Sequence, residues 1–279
     1  MLEVGKIQTL SVIRSKDFGI YLGEKEHPDE TVLLPRKQVP EGLKAGGEIE
    51  VFLYRDSEDR MIATVNRPYL LAGEIGVLKC VSVSRIGAFM SCGLERDILL
   101  PYKEQTTKVE EGKDYPVYMY VDKSGRLCLT MRLYSHLNLQ PPYKTNDSFE
   151  GIVYEYKDSM GAFVVIDYQY SGLIPVKELF RTVHVGEHVE GRIMHVREDG
   201  KLDLSLRRPA YLQMDEDSEK IFQRMQESGG ILPYTDKAAP ERIREDFGMS
   251  KNEFKRAVGR LLKEHRIVIE ENQIRITEQ

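Results

Sequence analysis

Short alternations of apolar and polar residues, bounded by glycine, proline and aspartate, fill most of the first 207 residues. The clearest stretch runs from Ser148 to Arg207, with strand-like runs at 149–154, 160–166 and 202–206. A period of two over such short runs is typical of half-buried strands and not of helices. Five strands within about sixty residues predict a small closed barrel of the oligonucleotide-binding type.

The landmarks of this stretch occur twice more upstream. Gly-Ala-Phe at 161–163 matches Gly-Ala-Phe at 87–89 and, less well, Gly-Ile-Tyr at 19–21. Apolar runs that end at Pro35, Pro101 and Pro175 keep nearly the same register. A repeat of roughly 70 residues with several landmarks in register indicates a tandem array. The sequence therefore predicts three five-stranded barrels, over residues 1–66, 72–131 and 148–207.

After the third repeat the apolar positions change to a helical spacing. The pattern predicts helices over 217–227 and 240–246 and a third from Ser250 to about His265, followed by a hairpin that ends near residue 276. Ser250 with Glu253 has the spacing of a capping box. Together with a short extended piece at 231–234, this order predicts a winged-helix domain over 215–279. The predicted fold is mainly β, with a small α+β domain at the C-terminus.

The third helix is predicted to be amphipathic. Its apolar face comprises Phe254, Ala257, Val258, Leu261 and Leu262. The opposite face carries Asn252, Arg256, Arg260 and Lys263. Between residues 250 and 266 there are six Lys/Arg against two Asp/Glu. A basic exposed helix suits contact with a nucleic-acid backbone, although an ordinary solvated face has the same pattern.

Charge and composition limit the function classes. The formal net charge of −5 excludes a global positive field, so any nucleic-acid binding has to use local basic faces. Cys80, Cys92 and Cys128 lie in one repeat without a close pair, which favours buried free thiols and a reducing compartment. Neither a signal peptide nor a membrane-spanning run is visible, so we expect a cytoplasmic protein.

The sequence offers no catalytic constellation. It has no phosphate-binding glycine loop, and its carboxylates form no repeated cluster. His184, His188 and His195 do not have metal-ligand spacing. We therefore expect a protein that is not an enzyme, with no metal, cofactor or small-molecule substrate.

The repeats resemble the S-one RNA-binding barrel, named after the first protein of the small ribosomal subunit. The resemblance depends on the Gly-Ala-Phe phrase, the apolar run after it and the closing Arg-Leu-x-Leu-Thr at 126–130 and Lys-Leu-Asp-Leu-Ser at 201–205. Three such barrels followed by a winged helix resemble the bacterial conserved virulence factor B family. That resemblance implies post-transcriptional regulation of gene expression.

The S-one resemblance also implies RNA-binding residues, because members stack bases on aromatics beside the glycine of the second strand. The implied positions are Phe18, Tyr21, Asp56 and Arg60 in the first repeat, Phe89, Asp122 and Arg126 in the second, and Phe163 and Lys201 in the third. Ile86 and Met160 replace one aromatic each, and proline occupies the family's histidine position in all three copies. For each aromatic the alternative is a core residue, and for Asp56 and Asp122 it is a turn residue.

Three hypotheses remain open. The first is a non-enzymatic protein that binds single-stranded RNA with modest sequence preference and strong salt dependence. The second is a DNA-binding transcription regulator that acts through the winged helix. The third is a protein-docking adaptor, which the acidic net charge permits. The tyrosines that follow each barrel, Tyr69 and Tyr134 among them, are expected to pack between barrels.

Overall fold

The computed structural model describes residues 2–56, 58–179, 181–206 and 210–277. The chain divides into two compact units, Met1–Leu206 and Arg207–Gln279. In the described part of the first unit, fifteen strands form three closed barrels with the same strand order, 1-2-3-5-4 within each barrel. The second unit has the winged-helix order that the sequence predicts.

The strand bounds follow the repeated apolar runs. The first barrel contains β1 (Ile7–Lys16), β2 (Gly19–Glu24), β3 (His27–Pro35), β4 (Glu48–Arg55) and β5 (Met61–Thr64). The second contains β6 (Ile75–Val83), β7 (Gly87–Ser91), β8 (Ile98–Pro101), β9 (Asp114–Val121) and β10 (Leu127–Thr130). The third contains β11 (Ser148–Lys157), β12 (Gly161–Ile166), β13 (Tyr170–Pro175), β14 (His188–Val196) and β15 (Leu202–Ser205). The first strand of every barrel has a register shift opposite the second strand, which curves the sheet for closure.

The glycine of the repeated phrase is required by the backbone. Gly161 has a φ of +124°, and a Cβ there would lie 2.0 Å from the carbonyl oxygen of Ile174. A Cβ at Gly19 would lie 2.3 Å from the carbonyl oxygen of Leu34, and one at Gly87 would lie 2.3 Å from that of Leu100. Only glycine combines this φ with so close an approach of two strands. The glycine therefore allows the second and third strands of each barrel to approach closely. The register of these strands fixes the face on which the aromatic two residues after the glycine lies.

Neighbouring barrels are joined by apolar contacts. Phe52 and Tyr54 of β4 belong to the same buried cluster as the core of the second barrel. A second cluster joins Leu133 and Leu137, which follow the second barrel, to Tyr154 and Val165 of the third. The backbone N–H of Gly5 donates to Leu53, and that of Ala72 donates to Gly5, which ties the first two barrels further. The three barrels are thus one continuous unit.

The second unit contains α1 (Ala210–Glu227), β16 (Ile231–Leu232), α2 (Pro240–Phe247), α3 (Lys251–Lys263), β17 (Ile267–Ile269) and β18 (Ile274–Ile276). The predicted capping box is present: the Ser250 hydroxyl accepts from the Glu253 N–H, and the Glu253 carboxylate accepts from the Ser250 N–H. Phe254, Ala257, Val258 and Leu261 are buried as predicted. The placement of Leu262 on the core face is wrong, because this residue is 42% exposed.

Candidate nucleic-acid interface

The first barrel carries an aromatic pair at the hairpin between β1 and β2, in which Phe18 is exposed and Tyr21 is half-buried. Phe18 is 57% exposed, and its ring meets that of Tyr21 edge to face, with centroids 6.2 Å apart and planes at 81°. The Arg14 guanidinium lies 4.3 Å from the centre of the Tyr21 ring. Arg14 and Tyr21 are paired across the two strands, so the register of the hairpin creates this contact. A flat ring can stack on a base, and a cation beside the ring can contact the phosphate of the same nucleotide.

Asp56 and Arg60 of the same barrel form a hydrogen-bonded ion pair in the turn between β4 and β5. Arg60 donates from Nε and Nη2 to Asp56 Oδ2 at 3.0 and 2.8 Å, and the backbone N–H groups of Glu58 and Arg60 donate to Oδ1. Burial of the Asp56 carboxyl opposes ionisation, but the bonds from Arg60 and the backbone outweigh it and lower the pKa. Asp56 therefore holds the turn and orients Arg60, whose side chain is largely exposed.

In the second barrel, Phe89 is half-buried, and Tyr102, which no sequence motif indicates, is an exposed aromatic. Tyr102 is 51% exposed and lies beside Ile86, to whose carbonyl its backbone N–H donates at 3.4 Å. The Tyr102 hydroxyl donates to the carbonyl of Ser84 at 2.7 Å, which fixes the ring along the hairpin. Tyr102 thus supplies an aromatic surface next to the position where Ile86 replaces the family's ring.

Asp122 and Arg126 do not pair with each other through their side chains. Asp122 Oδ1 accepts from Ser124 and from the backbone N–H of Arg126, as in the equivalent turn of the first barrel. The Arg126 Nε donates instead to Asp59 Oδ1 of the first barrel at 3.0 Å. Arg126 therefore bridges two barrels at their surface.

The third barrel has a groove of about 300 Å³ that contains Phe163 and Lys201. The ring of Phe163 is half-buried and lies 6.1 Å from that of Tyr154, outside the apolar core of its own barrel. The Nζ of Lys157 is 5.0 Å from the centre of the Phe163 ring. Lys201 donates to Asp199 at 2.7 Å, and its Nζ lies 5.5 Å from the ring centre of Tyr134.

Tyr134 belongs to a short 3-10 helix, Leu133–His136, in the segment that connects the second and third barrels. Its ring is 47% exposed, which differs from the packing role expected from the sequence. The sequence places Tyr134 among the tyrosines that follow each barrel, but that pattern does not show which surface its ring reaches. Only the folded chain shows that Tyr134 and Phe163 line one groove.

The basic face of α3 is largely exposed. Asn252, Arg256 and Lys263 are exposed, whereas Arg260 is half-buried and donates from Nε to Glu264 at 2.9 Å. The side chains of Arg260 and Lys263 lie in the last turn of the helix, where the negative end of the helix dipole favours cations. Three polar or basic side chains on one helix face can contact phosphates or base edges.

Comparison with known proteins gives relatives along the whole chain. A Bacillus subtilis protein with the name Uncharacterized protein YitL is 32% identical over 95% of this chain and 91% of its own. Conserved virulence factor B of Staphylococcus saprophyticus is 30% identical over 99% of this chain and 95% of its own. The chain belongs to the conserved virulence factor B family.

Family models divide this virulence factor B homologue into parts. The S1 domain model, which describes the S-one barrel, matches residues 4–66 and 72–132. The model of the second domain of the virulence regulatory factor CvfB matches residues 137–208, and a CvfB-like winged-helix model matches residues 219–276. These are nucleic-acid-binding and regulatory domain families, not enzyme families. The model of the third barrel begins at Leu137, inside the connecting segment that carries Tyr134.

A solved structure shares the fold of this family member. It is a multidomain protein with nucleic acid binding domains from Streptococcus pneumoniae, with a TM-score of 0.54, 23% sequence identity and 98% of both chains covered. The likeness extends over both units, which supports the barrel and winged-helix assignment by an independent route.

Three properties of the described residues concern metal binding, thiol reactivity and the capacity to cross a membrane. Within them, no group of three His, Cys, Asp or Glu side chains could hold a metal ion. Cys80, Cys92 and Cys128 are free and buried, as predicted. Burial and the nearby Asp122 carboxylate raise the pKa of the Cys128 thiol to about 11, which makes it a poor nucleophile. None of the described helices has both the length and the apolar character needed to cross a membrane.

Proposed function

We propose that the protein binds single-stranded RNA along the aromatic faces of its three barrels and regulates gene expression after transcription. The observation that carries the proposal is the exposed ring of Phe18 next to the half-buried ring of Tyr21, with Arg14 beside it. Exposed Tyr102 and Tyr134 give the other barrels an aromatic surface as well. Side chains of this kind stack on unpaired bases, which a duplex does not offer.

The tandem arrangement of the barrels supports an RNA strand, and not a single nucleotide, as the ligand. Each barrel presents one or two rings, and stacking contributes about 1–3 kcal/mol per base. Because the barrels are joined through buried clusters, a strand held by one barrel meets the next at high effective concentration. The regulatory role is supported by the relatives named conserved virulence factor B and by the family model described as a virulence regulatory factor.

Duplex DNA is a second candidate partner, through Asn252, Arg256 and Lys263 on α3. In the proposed function the cations of this helix give the RNA additional contacts. A transcription regulator would instead use it as the principal contact, with the barrels as a scaffold.

Fluorescence anisotropy separates these candidates. Labelled single-stranded RNA and duplex DNA of equal length are titrated with the full chain at two salt concentrations. We expect tighter binding to RNA and a large loss of RNA affinity for the variant with Phe18→Ala and Tyr21→Ala. The matched control is Tyr156→Ala, which removes an exposed ring that lines a separate depression with Thr107. Preference for the duplex, or equal losses in the aromatic variant and the control, would contradict the proposal.

A further inference from the structure

The segment that carries Tyr134 is fixed at both ends. On one side of Tyr134, Leu133 is fully buried, and on the other Leu137 is buried in the same cluster as Tyr154. The ring of His136 stacks on that of Tyr118, with centroids 3.7 Å apart and planes at 12°. Buried neighbours on both sides restrict the backbone at Tyr134. Little backbone conformational entropy therefore remains to be lost when its ring contacts a ligand.

The following residues attach the segment to the third barrel. The backbone N–H of Asn138 donates to the carbonyl of Gln169 at 2.7 Å. The carbonyl oxygen of Leu139 lies so near Gly200 that a Cβ there would be 1.6 Å away. Gly200 has a φ of +78° and belongs to the turn that precedes Lys201, so this close approach brings the segment to the groove.

The groove has the size and the lining of a site for one flat ring. Its volume of about 300 Å³ is at the lower end of the range for small-ligand pockets. Tyr134 and Phe163 supply aromatic surface, while Lys157 and Lys201 place their cations near those rings. The hydroxyls of Tyr154 and Ser171, 3.4 Å apart, add buried polar groups. Aromatic surface with cations at the edge suits a base and its flanking phosphates.

We infer that this groove binds one unpaired nucleobase of the RNA strand, with Tyr134 as a stacking surface and Lys157 and Lys201 at the flanking phosphates. Met160 stands where related barrels have an aromatic, and Tyr134 from the connecting segment restores a second ring to this face. The inference rests on the proposed function, because the base belongs to the same strand that the barrels hold.

The chain contains no tryptophan, which makes a direct test possible. In Tyr134→Trp the new indole is the single tryptophan, and a base stacked on it quenches its fluorescence. We expect quenching on titration with an eight-nucleotide single-stranded RNA, at the same concentrations at which anisotropy reports binding. The control is Tyr156→Trp, on β11 of the third barrel in a different depression, which should show no quenching.

Affinity measurements complete the test. Tyr134→Ala should weaken RNA binding by about 5- to 150-fold, which corresponds to the loss of one stacked base. Tyr134→Phe should bind like the wild type, since the ring and not the hydroxyl is needed. If the wild type binds RNA but the indole of Tyr134→Trp is not quenched and Tyr134→Ala keeps full affinity, the nucleobase site is refuted and the proposed function stands. If the wild type binds no single-stranded RNA, both are refuted.

Discussion

Replacing the ring of Phe18 should reduce RNA affinity more than it reduces the free energy of unfolding. Its side chain is 57% exposed, so less than half of its surface is covered in the folded chain. Full burial of a phenylalanine contributes about 1.5–3 kcal/mol, so Phe18→Ala should lower the free energy of unfolding by only about 1 kcal/mol. Phe52, at 1% exposure, is the matched buried ring, and Phe52→Ala should cost about 3–5 kcal/mol.

The same substitution should have a larger effect on RNA affinity. One lost stack is worth about 1–3 kcal/mol, or roughly 5- to 150-fold in the dissociation constant. Phe18→Ala should weaken binding more than Tyr21→Ala, because the Arg14 guanidinium already lies near the Tyr21 ring at 4.3 Å. In the double variant the two losses of binding free energy should not simply add, since the two rings are neighbours with their centroids 6.2 Å apart.

Two measurements on each variant check this reasoning. Urea unfolding gives the change in stability, and anisotropy with labelled single-stranded RNA gives the change in affinity. The reasoning is refuted if Phe18→Ala unfolds as easily as Phe52→Ala, which would make its ring part of the core. It is also refuted if a stable Phe18→Ala protein binds RNA as tightly as the wild type.

Three further predictions concern α3, the barrel glycine and the helix cap. Arg256→Ala with Lys263→Ala should weaken RNA binding and reduce the slope of log K against log salt by about 0.7 for each lost phosphate contact, measured by anisotropy across a salt series; an unchanged slope would exclude both residues from the strand. Gly161→Ala should destabilise the barrels by about 1–3 kcal/mol in urea unfolding, whereas Gly259→Ala, in a helix with nothing within 4 Å of the new Cβ, should stabilise α3 by about 1 kcal/mol; the opposite order would contradict the backbone argument. Ser250→Ala should cost the second unit about 1 kcal/mol, seen as faster amide exchange in α3 with unchanged exchange in the barrels.

The features that the sequence predicts well depend on short-range constraints repeated in register. Gly161, Gly87 and Gly19 mark equivalent strand contacts, so the three copies support one another. The capping box at Ser250 and Glu253 involves residues three apart, whose interaction is set by helix geometry alone. Such local signals can be identified without knowing the tertiary contacts of the rest of the chain.

The features that the sequence does not predict depend on contacts between repeats. The partner of Arg126 is Asp59 of the preceding barrel, which no local pattern indicates. Tyr134 lies in a connecting segment, and its place beside Lys201 follows from the packing of Leu133 and Leu137 against the third barrel. Leu262 has helical spacing for the core, but it lies at the edge of the apolar face and stays exposed.

The acidic net charge becomes compatible with RNA binding once the arrangement of the cations is considered. Several arginines on the barrels are already paired with carboxylates, as Arg60 is with Asp56 and Arg197 is with Asp203. A phosphate that meets such an arginine has to compete with its carboxylate, so each contact contributes less than a free cation would. Stacking carries no such cost, because the exposed hydrocarbon ring of Phe18 holds no ionic partner that a base would have to displace. The exposed rings should therefore supply a larger share of the affinity than the cations, and substitutions of the rings are the sharper test of the proposed function.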